Sequence, residues 1–345
     1  MASANILVPE DAADVIRKTL ALKRPPRISY LPGPGDLKGT YRYWLAGQHD
    51  PNIPSITYSA MFFDLCQDLE AQAQIIVRGM PLPEDETIGN FRFDGVSHEI
   101  SGDRLEWLNG SGDYADQCIE KVNSFDPDII IVSMDFPVKH LPRLGKGRHV
   151  ILTMHNTLWP MGQKQFDLSA GLTGGLKVGL KIGVKKALLS RYLAKIDAAI
   201  CTSGECANQL TKVIAGDVPT FVSVPQQHIT IKEKQLSAIE HNKRLIFLGR
   251  IEINKGVFDL LDAFEKIYKT HDDLTLEYVG SGPALDALQQ EVTRRGLERK
   301  VFLRGRVPAS EIHNFLSNAY ALVCPTRLDF FEGLAFVCFE AAIHG

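Results

Sequence analysis

The sequence predicts an α/β protein made of two doubly wound, Rossmann-like domains in series. Two observations carry this. Short apolar runs of strand length alternate with helix-length segments along most of the chain, the pattern of a parallel sheet covered by helices. That alternation breaks once, at Gln226 to Asn242, which is polar and carries no strand signal, and then begins again. The expected organisation is a first domain over 1–225, a linker over 226–242 and a second domain over 243–345. A chain of 345 residues is long enough for two cores of ordinary size.

In the first domain, Arg27 to Leu31 is a short opening strand, followed by a long loop from Pro32 to Ser59 rich in Gly, Pro and aromatic residues. A helix is expected over Ala60 to Gln72, with Phe62, Leu65, Cys66 and Leu69 on one face. Ala73 to Val77 is the second strand. The stretch 78–113 is polar and irregular, with a short strand near Phe91 to Phe93. Tyr114 to Asn123 is helical. Asp128 to Ser133 and His149 to Met154 are buried strands. Gly171 to Lys195 is helix-prone, and Ala198 to Ser203 is a strand whose last residue caps the next helix. Thr220 to Val224 closes this half.

The second series is more regular. Strands are expected at Arg244 to Leu248, Leu274 to Val279, Val301 to Leu303 and Ala321 to Pro325. Helices are expected at Val257 to Lys269, Ala284 to Arg295 and Ser310 to Ser317. Sheets of this kind bind ligands at the carboxyl ends of their strands, and two such domains imply a cleft between them.

Composition narrows the function. A formal charge of −3 argues against a general polyanion binder, so any basic surface must be local. The six cysteines form no Cys-x-x-Cys pair and none clusters with histidine at zinc spacing, which points to free buried thiols in a reducing cytoplasm. No window holds about 18 consecutive apolar residues, so no membrane-spanning helix is expected. Met1 to Ala13 does not read as a secretory signal.

Three segments of the second half carry chemistry. At Phe247 to Gly256 a strand ends at Gly249, and Arg250 and Lys255 lie five residues apart in the loop that enters a helix. Helix-start amides plus two cations suit a diphosphate, although a solvated basic loop has the same composition. Tyr278 to Pro283 runs a strand into a turn containing Gly280 and Gly282, which permit a close ligand or simply a tight turn. Pro325 to Leu334 leads into an apolar helix. Glu332 falls in the loop and Glu340 on the helix, eight residues on. A carboxylate at the start of a helix is favoured by the helix dipole alone. Glu340 lies among Phe336, Val337, Cys338, Phe339, Ala341 and Ala342, and a buried carboxylate needs a partner.

The order Gly249-Arg250…Lys255-Gly256, Val279-Gly280-Ser281-Gly282-Pro283, Phe302…Gly305-Arg306-Val307 and Pro325-Thr326…Glu332-Gly333…Glu340 resembles the family-four, retaining GT-B glycosyltransferases. The resemblance is close over Leu245 to Gly345 and loose over the first 225 residues. It implies a GT-B architecture: two doubly wound Rossmann-like domains facing a cleft, the second of them incomplete where the chain stops at Gly345. It implies a hexosyltransferase that takes a nucleotide-diphosphate sugar as donor, retains the anomeric configuration, and needs no metal or other cofactor. Arg250 and Lys255 would hold the diphosphate. Val307, with Gly305 and Arg306, would border the base. Glu332 would accept bonds from sugar hydroxyls, and the backbone of Gly333 and Leu334 would meet the sugar or phosphate. Glu340 would bind the ribose. Cations and amides of this kind stabilise charge on a departing diphosphate.

In the first half, the resemblance places His155, at the end of a buried strand, against the donor sugar, in a catalytic role with Glu332. It makes Gly35 or Gly39 part of a glycine-rich loop near the donor phosphate and acceptor. The aromatics Tyr41, Tyr43 and Trp44 beyond it either stack on a sugar or pack the loop down. Lys177, Lys181 and Lys185 recur on one face of the 171–195 segment, which suits either a solvated face or peripheral contact with an anionic membrane. The expected partners are a nucleotide-sugar donor and a glycan or lipid-linked acceptor, with no nucleic acid, in the cytoplasm or at the inner face of its membrane. Two other readings remain open. One is a truncated, non-catalytic nucleotide-sugar-binding fragment. The other is a non-hydrolysing nucleotide-sugar epimerase.

Overall fold

The computed structural model describes residues 12–33, 35–48, 50, 58–97, 112–159, 183–184, 186–214, 216–223 and 243–344. Contacts divide the chain into two units: one of 1–50, 56–158 and 165–226, the other of 51–55, 159–164 and 227–345. The expected linker at 226–242 lies outside the described residues.

The first unit is built on eight strands, β1 (Arg27–Leu31), β2 (Gln72–Gly79), β3 (Glu86–Ile88), β4 (Phe91–Ser97), β5 (Ile129–Ser133), β6 (His149–Met154), β7 (Ala198–Cys201) and β8 (Thr220–Val222). Their order in the sheet is β3-β4-β2-β1-β5-β6-β7-β8. Every pair is parallel except the edge pair β3/β4. Ile28 lies opposite both Ala73 and Ile129, so β1 is buried at the centre. The chain winds outward from β1 in one direction and then from β5 in the other, which makes the β1/β5 junction the switch point of this sheet.

Its described helices include α1 (Ala12–Thr19), α2 (Leu37–Leu45), α3 (Tyr58–Asp68), α4 (Gly112–Phe125), α5 (Leu141–Leu144) and α6 (Gly204–Thr211). Helix α6 is capped as the sequence indicates: the Ser203 side chain accepts from the Cys206 amide at 3.2 Å. The expected loop from Pro32 to Ser59 is corrected by α2. The Asp36 side chain accepts from the Gly39 amide at 2.9 Å and caps that helix. Its inner face, Leu37, Thr40, Tyr41 and Trp44, has helical spacing and packs into the core beside Phe63, Phe91 and Phe93. The glycine and the aromatics had masked that period.

The second unit holds β9 (Lys243–Leu248), β10 (Leu274–Val279), β11 (Val301–Gly305) and β12 (Ala321–Leu322), all parallel, in the order β11-β10-β9-β12. Here the switch point lies between β9 and β12. β12 is shorter than the expected 321–325. Helices α7 (Val257–Ile267), α8 (Leu285–Arg294), α9 (Ala309–Ser317) and α10 (Phe336–Ile343) accompany the strands. Helix α7 buries Val257, Leu260, Leu261 and Phe264, an i, i+3, i+4, i+7 stripe, against Leu276, Tyr278 and Leu288. The buried Tyr278 hydroxyl donates to the Val257 carbonyl at 2.8 Å.

All six cysteines are free. Four are buried, but Cys324 and Cys338 are exposed, which corrects the expectation of buried thiols. Cys324 lies in the loop after β12 and Cys338 on α10, and the two thiols meet each other. No described helix is long and apolar enough to cross a membrane.

Candidate functional site

The second unit brings its glycine turn and its basic loop into contact. After β9 the backbone crosses the 280–282 turn. The Gly249 amide donates to Val279 O and the Ile251 amide to Ser281 O, each at 3.0 Å, and the Ala284 amide returns to Ile251 O at 3.0 Å. A Cβ on Gly280 would overlap the Gly249 carbonyl, and one on Gly282 the Ile251 carbonyl. These glycines are therefore required by backbone approach whatever else they do.

The interlocked loops wall a cavity of about 870 Å³ lined by 248–250, 279–282, 306–308 and Ile312. Its size suits a ligand the size of a nucleotide. Arg250, Gly280, Gly282 and Val307 are brought together in its lining. The Arg250 side chain is 73% exposed and pairs with Glu252 at 2.5 Å. The lining does not include Lys255, Glu332, Gly333, Leu334 or Glu340.

Lys255 and Glu332 meet instead at the switch point between β9 and β12. Lys255 closes a 3-10 turn, Ile253–Lys255, and is followed by Gly256 at φ +72°, where a Cβ would overlap the Pro325 carbonyl. Only glycine lets the loop after β9 come this close to the loop after β12. That approach delivers the Lys255 ammonium to the Glu332 carboxylate, in an ion pair whose side chains are only 17% and 21% exposed. Lys255 also sits over the Phe330 ring at 4.3 Å, and Thr326 Oγ1 donates to Glu332 at 3.4 Å. The sequence reading gave these two charges separate ligands; the structure joins them to each other. Gly333 is buried and Leu334 half-buried beside them.

Glu340, on α10, is 8% exposed. Burial pushes its pKa above the ordinary glutamate value. Among the described residues no hydrogen bond or ion pair reaches its carboxylate. The partner that the sequence reading required is not supplied by the chain's described residues.

In the first unit, His155 follows β6. Its ring meets Tyr58 edge-on with centroids 4.9 Å apart, and its carbonyl accepts from Thr202 Oγ1 at 3.1 Å. Desolvation lowers the imidazole pKa, partly opposed by the charge of Asp135. Gly35 is exposed in the turn before α2, while Gly39 sits in the first turn of α2, so the expected glycine-rich loop is only partly a loop. Tyr41 is 2% exposed and stacks on Trp44 at 5.5 Å, which settles these two aromatics as packing.

Sequence reasoning missed a cluster at the β1/β5 switch point. A Cβ on Gly33 would meet Asp135 Oδ2 at 2.8 Å, with Ser133 Oγ at 3.9 Å and Arg78 Nη2 at 4.0 Å. Ser133 donates to Asp135 at 3.0 Å, and Arg78 approaches Asp135 at 3.9 Å. The Arg78 side chain is 7% exposed, and its Nε is buried without a partner. The available signal was position: Ser133 and Asp135 lie at the carboxyl end of a buried parallel strand. Among the described residues no three His, Cys, Asp or Glu side chains cluster as metal ligands.

Residues 229–345 match the family model described as "Glycosyl transferases group 1". The chain is similar to a GDP-mannose-dependent alpha-(1-6)-phosphatidylinositol monomannoside mannosyltransferase of Mycolicibacterium smegmatis. The two are 31% identical over 135 residues, which is 37% of this chain and 34% of that protein. The alignment therefore spans about a third of that relative's length. Among solved structures the chain is similar to sucrose-phosphate synthase from Thermosynechococcus elongatus (TM-score 0.57, 15% identity, 92% of this chain and 78% of that one). It is also similar to HepE of Anabaena in complex with UDP and glucose (TM-score 0.53, 15% identity, again 92% and 78%). At such identities the likeness is one of fold, and that fold is the expected GT-B class of paired Rossmann-like units.

Proposed function

We propose, from the match of residues 229–345 to the family model described as "Glycosyl transferases group 1", that this chain is a hexosyltransferase using a nucleotide-diphosphate sugar as donor. The observation that carries the reading is the Lys255–Glu332 pair at the β9/β12 switch point, on the same sheet edge as the Arg250-lined cavity. A cation for a diphosphate and a carboxylate for sugar hydroxyls are held together where such a sheet binds its ligands.

In this reading the roles are those that the resemblance implies. Arg250 and Lys255 neutralise the diphosphate and take up the charge that grows on it as the glycosidic bond breaks. Both are already paired with carboxylates, so an arriving diphosphate exchanges with Glu252 and Glu332 for them. Glu332, released, accepts from the sugar hydroxyls. The backbone of Gly333 and Leu334 borders sugar and phosphate, Val307 borders the base, and Glu340 takes the ribose hydroxyls. The lowered pKa of His155 keeps its ring neutral near pH 7, able to accept or donate at a hydroxyl of the sugar. Transfer proceeds with retention and with these cations, rather than a metal, serving the leaving group.

The acceptor is a glycan or a lipid-linked precursor, met in the cytoplasm or at the inner face of its membrane. The mannosyltransferase relative is named for a phosphatidylinositol mannoside, which supports the lipid-linked form. The basic stretch 171–195 suits such a surface; most of it, including Lys177, Lys181 and Lys185, lies outside the described residues.

The test is a panel of nucleotide-diphosphate hexoses with glycan and lipid-linked acceptors, followed by nucleotide release and product identification. Transfer product with unchanged anomeric configuration, lost in Glu332→Gln, is the expected result. An epimerised nucleotide sugar would make the chain an epimerase, and binding without turnover would make it a non-catalytic binder.

A further inference from the structure

We propose that the Arg306 side chain reads the donor's nucleobase and gives the site a preference for guanine. The inference rests on the donor-site reading above. The sheet edge fixes the layout. Parallel strands lie about 4.8 Å apart, so the loops after β9 and β11 are separated by roughly 10 Å across β10. Glu332 belongs to the loop after β12, on the other flank of β9. A nucleotide sugar is a linear array of sugar, diphosphate, ribose and base. With the sugar at Glu332 and the diphosphate at Lys255 and Arg250, the base reaches the loop after β11.

That end of the cavity has a distinct lining. Val307, Pro308 and Ile312 are apolar, and Arg306 is the charged side chain among them. Neighbouring arginines are committed elsewhere: Arg304 forks onto Glu277 at 2.9 and 3.1 Å, and Arg250 pairs with Glu252. Arg306 is exposed, and among the described residues it has neither a hydrogen bond nor an ion pair. A guanidinium presents its donors as a planar fork. Guanine offers two adjacent acceptors, O6 and N7, that match the fork. Adenine puts an amino donor beside N7, and uracil offers only isolated carbonyls. A good bidentate match is worth roughly 5- to 150-fold in discrimination.

The experiment is calorimetric titration of the full chain, Arg306→Ala and Arg306→Lys with GDP, UDP, ADP and inorganic pyrophosphate. The wild type is expected to bind GDP about 10-fold or more tighter than UDP or ADP. Arg306→Ala should bring GDP down to the level of UDP while leaving pyrophosphate binding unchanged, which also reports an intact fold. Arg306→Lys should keep the charge but lose most of the guanine preference, because an ammonium lacks the fork. Equal weakening of GDP, UDP and pyrophosphate would make Arg306 a phosphate cation and overturn the proposal. So would an unchanged GDP/UDP ratio in Arg306→Ala, or a wild-type preference for UDP. If the wild type binds none of the nucleotides, the donor-site reading itself fails and takes this inference with it.

Discussion

Lys255 and Glu332 are mostly buried and bound to each other, so removing either does more than delete one ligand contact. Lys255→Ala leaves Glu332 unopposed at the proposed diphosphate position. Nucleoside-diphosphate affinity should fall about 10- to 100-fold, in line with a charged hydrogen bond worth about 1.5–3 kcal/mol. Glu332→Gln frees the ammonium instead. It should leave nucleoside-diphosphate binding equal or tighter while cutting turnover of the sugar donor at least about 10-fold. Calorimetry and initial rates read the two effects separately, and a matched loss of binding in both variants would sink the assigned roles.

Glu340 makes the same point through pH. Its folded pKa lies above the unfolded value of 4.5 because burial penalises the carboxylate. The folded state therefore holds its proton more readily, and this group's contribution to stability falls as pH rises from about 4.5 through the raised value, then stays low. Glu340→Gln should make the protein more stable at pH 7, by on the order of 1 kcal/mol, while the proposed ribose role predicts that nucleotide affinity drops with the loss of a charged acceptor. Thermal unfolding with and without nucleotide checks this. A variant that is less stable without ligand would show a structural role in place of ligand binding.

At the level of elements, the glycines of the 280–282 turn were legible as a turn but not as a crossing point. Their spacing announces close approach; the partner, the Gly249–Ile251 backbone, is far away in sequence and invisible to local pattern. Gly280→Ala forces a Cβ onto the Gly249 carbonyl and should cost more than about 2 kcal/mol, read as a lower unfolding midpoint of the second unit. Gly35→Ala, where a Cβ meets nothing within 4 Å, is the matched control and should change little. Helix α2 is the converse case. Its cap, Asp36, and its inward stripe were present in the sequence, but Gly39 and the aromatic run imitate a loop until β4 and α3 supply a surface for Tyr41 and Trp44 to pack on.

For the whole molecule, two units with separate cores and separate switch points predict separable stabilities. Scanning calorimetry should resolve two transitions, or one that broadens when a nucleoside diphosphate is added. At a ligand concentration of about 100 Kd the second unit alone should gain about 2.7 kcal/mol. An equal shift of both transitions would overturn the prediction of separable stabilities.

What the sequence by itself determined is the periodic part of this protein. Strand–helix alternation, the strand ends at Gly249 and Val279, and the candidate charges Arg250, Lys255, Glu332 and Glu340 follow from local pattern, since a buried parallel strand must be apolar and its carboxyl end must turn. Only tertiary structure decided which of these residues meet. The Lys255–Glu332 pair spans 77 residues and depends on Gly256 passing beneath the Pro325 carbonyl. The cluster of Gly33, Arg78, Ser133 and Asp135 exists because β1 lies between β2 and β5. Strand order is set by the packing of whole helices on whole sheets, and no window of sequence contains it.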